Sequence, residues 1–270
     1  MLQSVHPLIV AIANQKGGVG KTTTVHALGA ALAQLDQRVL LVDLDPQACL
    51  TYSVGLDPDT LARSLHDVFV RRVAVNEVVQ HVGGGLDVVP ATIDLAGSEV
   101  LLLTRTGREH VLARALEALH SAYDTVLVDC PPSLGVLTIN GLTAAESVLV
   151  PLQCEALSHR GVGQLLETID DVRAFANADL RVRGIIPTMF DGRTRHGREI
   201  LAGVGARYGL PVLEPAVGKS VRFAEAPAQG RSIIDYAPAS PGAEAYRALA
   251  RALVADLRPP VREEVHATFP

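Results

Sequence analysis

Nine consecutive residues, Lys16 to Thr24, bring together two lysines, three glycines and three threonines. Their types suit one chemistry. Gly17, Gly18 and Gly20 let the backbone turn tightly, so that N–H groups around Val19 converge on an anion. Lys16 and Lys21 supply compact ammonium charges, which fit among phosphate oxygens where a planar guanidinium would not. The chain has only one other lysine, Lys219, against 21 arginines, so two of its three lysines sit in this turn. An apolar run precedes the turn and a helix-forming segment follows it, the order in which a helix N-terminus binds a nucleotide phosphate. The pattern G-x-x-x-x-G-K-[ST] is met only with Gln15 in place of its first glycine. Lys21 is then expected to reach the β- and γ-phosphates, the Thr22 hydroxyl to ligate Mg²⁺, and Thr23 to lie near the α-phosphate. The competing reading is a glycine turn with incidental lysines, which the strand before it and the helix after it disfavour.

Two further apolar runs end in carboxylates. VLLVDLDPQ places Asp43 and Asp45 at a strand end, and TVLVDCPPS does the same for Asp129. Carboxylates there line the ligand crevice of a doubly wound sheet. They can act on Mg²⁺ or its hydration shell, or orient a water for attack on a γ-phosphate. Asp-Pro is also a common turn starter; beside a phosphate loop the chemical reading is preferred. Pro131-Pro132 fix the loop after Asp129, which suits a segment that responds to the γ-phosphate. Cys130 reads as a packed small residue, with no histidine placed to activate it.

These residues need elements to hold them. Short apolar, β-branched runs at Leu8–Ala13, Val39–Asp43, Leu86–Pro90, Thr125–Asp129, Ser147–Pro151 and Val182–Thr188 predict parallel strands buried on both faces. Helical patterns fall between or after them at Val25–Leu35, Leu61–Phe69, Leu95–Thr104, His110–His120, Thr138–Ala145, Val162–Ala176, Arg198–Tyr208 and Ala243–Leu257. Strands alternating with helices predict an α/β fold with one doubly wound, mostly parallel sheet flanked by helices. One domain over residues 1–258 and a short flexible tail over 259–270 are expected.

Composition narrows the function classes. The 48% hydrophobic and 20% charged residues are those of a globular chain. No apolar run reaches the roughly 18 residues of a membrane span. The N-terminal MLQSVHPLIVAIA lacks a basic start and reads as a first strand rather than a signal peptide. Three widely spaced cysteines, Cys49, Cys130 and Cys154, fit a reducing, cytoplasmic setting without structural disulfides. The net charge of −5 is unevenly placed. Residues 181–231 hold nine Lys or Arg against four Asp or Glu. Arg193, Arg195 and Arg198 form one cluster in this stretch; Lys219, Arg222 and Arg231 form another. Such groups contact duplex phosphates without sequence preference, or are solvated loop arginines; both readings stand.

Together, KGGVGKTTT, VDLDPQ, VDCPPSLGVLTINGLTAA, VPLQCE, PTMFDGRT and VRFAEAP…GRSIIDY resemble the ParA/Soj partition ATPases of chromosomes and plasmids. These form part of the deviant Walker A group, with MinD and the nitrogenase iron protein as relatives. The resemblance spans about residues 7 to 257 and implies a P-loop ATPase that uses ATP and Mg²⁺. It implies an ATP-dependent homodimer in which Lys16 reaches across to the partner's phosphates. Asp45 would position the hydrolytic water, and Thr22, Asp45 and Asp129 would serve the metal. Met189 and Lys219 are carried over as nucleotide contacts. The ATP dimer would bind double-stranded DNA non-specifically, with Arg222 as the matched contact and Arg193, Arg195, Arg198 and Arg231 as further candidates. A ParB-type centromere-binding partner would stimulate an otherwise slow hydrolysis, in the cytoplasm at the nucleoid and without a membrane.

The chain departs from the family at Ala48-Cys49, where Gly-Asn is frequent, at Gly218-Lys219-Ser220, where Pro-Arg-Asn is frequent, and at residues 156–160. Other readings are a MinD-like membrane-cycling protein, disfavoured by the lack of a basic amphipathic C-terminal helix. A redox carrier would need paired cysteines. A related ATPase moving protein cargo rather than DNA is the remaining alternative.

Overall fold

The computed structural model describes residues 6–154 and 158–255. Seven strands join one sheet: β1 (Leu8–Ile12), β2 (Val39–Asp43), β3 (Gln80–Val82), β4 (Leu86–Val89), β5 (Thr125–Asp129), β6 (Ser147–Gln153) and β7 (Arg181–Thr188). Their order is β3-β4-β2-β5-β1-β6-β7, and every pairing is parallel except β3 with β4. The helices are α1 (Lys21–Ala33), α2 (Cys49–Ser53), α3 (Leu95–Leu103), α4 (Val111–Leu116), α5 (Val136–Ala144), α6 (Ser158–Phe175), α7 (Arg195–Tyr208), α8 (Arg222–Glu225), α9 (Ile233–Tyr236) and α10 (Pro241–Ala255).

The period-2 alternation of a strand sends successive side chains to opposite faces. Along β1, Leu8, Val10 and Ile12 join one core, with Leu28 and Leu32 of α1 and Tyr246 and Leu249 of α10. Ile9 and Ala11 join the other, with Leu112 of α4, Leu137 of α5 and Leu165 of α6. Because both faces are covered, the strands read as unbroken apolar runs. Tyr246 is fully buried, and its hydroxyl meets Thr24 Oγ1 at 2.9 Å, which fixes α10 on the helix that follows the phosphate loop.

The doubly wound, mostly parallel architecture is the expected one; details differ. The half-exposed β3 carries no apolar run, and so no strand is expected there. The helix expected at 61–69 begins only at Leu65 and runs on into the wide turn below. Ser64 N donates to the Asp67 carboxylate (2.9 Å), which caps the helix start, and Leu65 N donates to Pro90 O (2.9 Å), which docks that start beside the end of β4. The segment ends in a wide turn at Asp67–Arg71. The short α2, α8 and α9 fall below the length at which periodicity shows. The expected tail at 259–270 lies outside the described residues, as do Ala156 and Leu157.

Candidate nucleotide site

The strand order places β5 between β1 and β2, so the carboxyl ends of three strands meet at one crevice. In register, Asp129 lies beside Ile12 on one side and Asp43 on the other. From Ile12 the chain turns through residues 13–20 into α1, which starts at Lys21. Gly18 (φ 73°) and Gly20 (φ 87°) are left-handed, a conformation that strains any residue with a Cβ. No side chain caps the α1 N-terminus, and no acidic residue sits in its first turn. Its first N–H groups are therefore available to an anion.

Three tethers hold the loop. Lys16 N donates to Asn14 Oδ1 (3.0 Å), while Asn14 Nδ2 donates to Pro151 O (2.7 Å) on β6. Thr188 Oγ1, at the end of β7, donates to Val19 O (2.7 Å). Lys21 is buried, and its ammonium donates to Lys16 O (3.1 Å), which keeps it folded over the loop. Burial lowers its pKa, and the Asp129 carboxylate pulls the other way. Thr22 and Thr23 are half-buried on the first turn of α1.

Asp43 and Asp129 are both fully buried. Asp43 is satisfied: Oδ1 accepts from Asp45 N (3.1 Å), and Oδ2 accepts from Thr51 N (2.8 Å) and Thr51 Oγ1 (2.7 Å). Burial pushes its carboxyl up to about 6 against those hydrogen bonds. Asp129 is not satisfied: among the described residues neither carboxylate oxygen has a hydrogen-bond partner within bonding geometry. Burial and the Asp43 charge hold it well above the usual carboxylate range; the nearby Thr22 hydroxyl and Lys21 offset this only in part. A buried carboxylate with two orphaned oxygens calls for a cation. Among the described residues no group of three or more His, Cys, Asp or Glu is disposed to hold a metal. Mg²⁺ needs no such cage, since it takes one or two carboxylates, waters and substrate phosphates. Asp129 with the Thr22 hydroxyl fits that donor set.

Asp45 is half-buried just beyond β2; its Oδ1 accepts from Gln47 N (2.9 Å). The departure at Ala48-Cys49 forms the start of α2, with Ala48 left-handed at φ 52°. Met189, also left-handed (φ 48°), follows Thr188. Phe190 N donates to Val217 O (3.0 Å), and Phe190 pairs with Gly218 in a parallel bridge. The bridge brings the segments of Met189 and Lys219 together next to Thr188. Cys130 is buried, and burial pushes its thiol pKa up, as expected of a packed residue. All three cysteines are free.

The arginines lie apart from the crevice floor and are mostly occupied. Arg193 pairs with Asp191 (2.9 Å), Arg195 with Glu199 (2.6 Å), and Arg198 donates to Gly192 O. Arg231 donates to Asp235 O and lines a cleft with Thr22, Thr23 and His26. Lys219 and Arg222 are exposed, and neither side chain has an ion-pair partner among the described residues.

Asn14, Thr51 and Thr188 were not singled out from the sequence. Asn14 carried a signal, a polar side chain directly after an apolar strand. Thr188 carried none, because its partner is 169 positions away.

The sequence pattern of the AAA_31 family, described as an AAA domain, matches residues 8–182. The sporulation initiation inhibitor protein Soj of Bacillus subtilis is 45% identical over 249 residues, 92% of this chain and 98% of that protein. The chromosome partitioning protein ParA of Caulobacter vibrioides is 42% identical over 255 residues, 93% of this chain and 96% of that one. A Mycobacterium smegmatis crystal structure with bound ATP analog and magnesium, named cobyrinic acid a,c-diamide synthase, is 50% identical. It superposes with a TM-score of 0.84 over 93% of this chain and 96% of its own. No described helix is long and apolar enough to cross a membrane. With a deviant phosphate loop, strand-end carboxylates and full-length likeness to Soj and ParA, the chain belongs to the ParA/Soj family of partition ATPases.

Proposed function

We propose that this protein is an ATP-driven dimer switch that hydrolyses ATP slowly, binds duplex DNA non-specifically as the ATP dimer, and segregates DNA with a ParB-type partner. The observation that carries the reading is the orphaned Asp129 carboxylate facing an uncapped α1 N-terminus and a folded-back Lys21. The α1 N–H groups and the glycine loop bind the phosphates. Lys21 leaves Lys16 O to neutralise the β- and γ-phosphate charge. Thr22 and Asp129 would hold Mg²⁺, which would supply charge neutralisation to the phosphates. Asp45 is held by Asp43 through its backbone N–H, and it orients the attacking water with its second carboxylate oxygen. Lys16 completes the partner's site. Met189 and Lys219 flank the nucleoside end. Lys219 and Arg222, neither tied to a local acid, present charge to DNA phosphates. The setting is the cytoplasm, at the nucleoid.

The test is Mg²⁺-dependent ATP turnover, with and without duplexes of two unrelated sequences. Turnover raised alike by both, and lost in Lys16→Ala, supports the reading. Turnover indifferent to DNA and to Lys16 contradicts it. A second reading rests on the name of the Mycobacterium smegmatis structure. ATP-dependent formation of the diamide from cobyrinic acid and an ammonia source would favour it instead.

A further inference from the structure

The turn that carries Asp45 is held from beneath by one buried carboxylate. Asp43 ends β2, and its Oδ1 accepts from Asp45 N (3.1 Å). Its Oδ2 accepts twice from a single residue, Thr51, through N (2.8 Å) and Oγ1 (2.7 Å). Asp43 therefore bonds both ends of the segment 45–51.

The Thr51 hydroxyl has an anchor of its own. Its oxygen accepts from Ala91 N (2.9 Å), two residues past the end of β4. Thr51 and Ala91 are both fully buried, so neither group has solvent to turn to. A threonine hydroxyl has one proton to give and lone pairs to receive with. Here the proton goes to Asp43 and a lone pair goes to Ala91. One small group thus joins the ends of β2 and β4 to the start of α2.

The turn above it needs such a hold. Ala48 is left-handed at φ 52°, a conformation that a Cβ makes unfavourable. Ala48 N donates to Asp45 O (2.9 Å), so the strained residue closes the turn on Asp45 itself. Strain of this kind persists only where the surroundings over-determine it. Asp43 and Thr51 supply those bonds on either side of Ala48. Asp45 is thereby held by its backbone, which leaves its carboxylate free of the task.

We propose that Thr51 is a positioning residue for hydrolysis: through Asp43 it fixes the turn that aims Asp45, and it touches neither nucleotide nor water. This role rests on the reading of Asp45 given above.

The test is Mg²⁺-dependent ATP turnover by the full chain and by Thr51→Val, Thr51→Ser and Asp45→Ala, with ATP affinity from calorimetry and a thermal melt for each. Thr51→Val keeps the side-chain shape and removes the hydroxyl. Its kcat is expected to fall about ten-fold, inside the ~100-fold that a misplacement of about 1 Å can cost. Its ATP affinity should stay within about two-fold of the parent, because the interaction lost acts on turnover and not on ground-state binding. Thr51→Ser keeps the hydroxyl and should turn over within about two-fold of the parent. Thr51→Val added to Asp45→Ala should cost no further turnover, since the two residues act as one unit.

Any of three results overturns the positioning role and leaves Thr51 as a staple of the fold. These are normal turnover in Thr51→Val, equal losses in Thr51→Ser and Thr51→Val, and a full further loss in the Asp45→Ala background. A fall in ATP affinity that matches the fall in turnover does the same. If Thr51→Val shows no cooperative melt, Thr51→Ala, which leaves no methyl beside Asp43, takes the same tests with the same expectations. Normal turnover in Asp45→Ala contradicts the role given to Asp45, and a parent chain without turnover contradicts the ATPase reading; the positioning role falls with either.

Discussion

The phosphate loop and the arginine segment after β7 are two polar regions of this molecule that are built in opposite ways. Around the loop, partners come from far along the chain: Asn14 ties it to β6, Thr188 to β7, and Asp129 sits between β1 and β2. Among the described residues, the Asp129 carboxylate is the buried side-chain group there that lacks a hydrogen-bond partner. In the arginine segment, partners lie within a few residues. Arg193, Arg195, Arg198 and Arg231 each bond an acid or carbonyl two to six positions away. The first region is pre-organised around a missing charge. The second keeps its charges at the surface, where ion pairs are weak and exchangeable. The arginine segment is seated at Gly230, whose Cβ would lie 2.7 Å from Gly55 Cα; only glycine permits that backbone contact with the turn after α2.

The sharpest break of this contrast is Lys21→Ala. It removes the charge folded over the loop, and ATP affinity should fall about 1,000-fold, as expected for two charge-assisted hydrogen bonds. Calorimetric titration with ATP checks this, and unchanged affinity would mean the loop is not the phosphate site. Asp45→Ala should spare ATP affinity and slow turnover by about 100-fold, within the range for a positioned base. Normal turnover in that variant would remove Asp45 from the chemistry.

His26 lies between the two regions, buried on α1 with its Nδ1 3.3 Å from Ser53 Oγ. Burial lowers its pKa from 6.5 to about 4. As pH falls, the unfolded chain takes up this proton before the folded one does, so stability is lost from about pH 6.5 down to 4. The loss should reach about 2 kcal/mol between pH 7 and 5, and urea melts of His26→Gln should show a loss smaller by that amount. Equal slopes in the two proteins would show that His26 does not titrate this way. Arg222→Ala should have the smallest effect. It should weaken duplex binding alike across sequences and reduce the salt slope by about 1, while Arg193→Ala, whose charge is already paired, should change it less. A larger effect at Arg193 would reverse the ranking drawn from local pairing.

The same contrast explains what was legible in the sequence. Lys16–Thr23, Asp43, Asp45 and Asp129 are marked by residue type at the ends of apolar strands, and strand order alone gathers them. Thr51 and Thr188 are ordinary threonines until folding sets them against Asp43, a turn away, and Val19, far along the chain. The helix expected at 61–69 starts only at Leu65, where the Asp67 carboxylate caps Ser64 N, a start that apolar periodicity does not mark. β3 is hidden because half-exposed edge strands need no apolar run. The basic stretch at 181–231 is visible as a count of charges, but which of them are paired is decided by three-dimensional neighbours.

The most direct measurement is binding of the full chain to duplex DNA of two unrelated sequences, made with ATP, with ADP and with no nucleotide, each with Mg²⁺. If the phosphate loop controls the basic segment, ATP alone gives tight, salt-sensitive binding that is equal for both sequences. Binding of equal strength in all three nucleotide states would contradict that control.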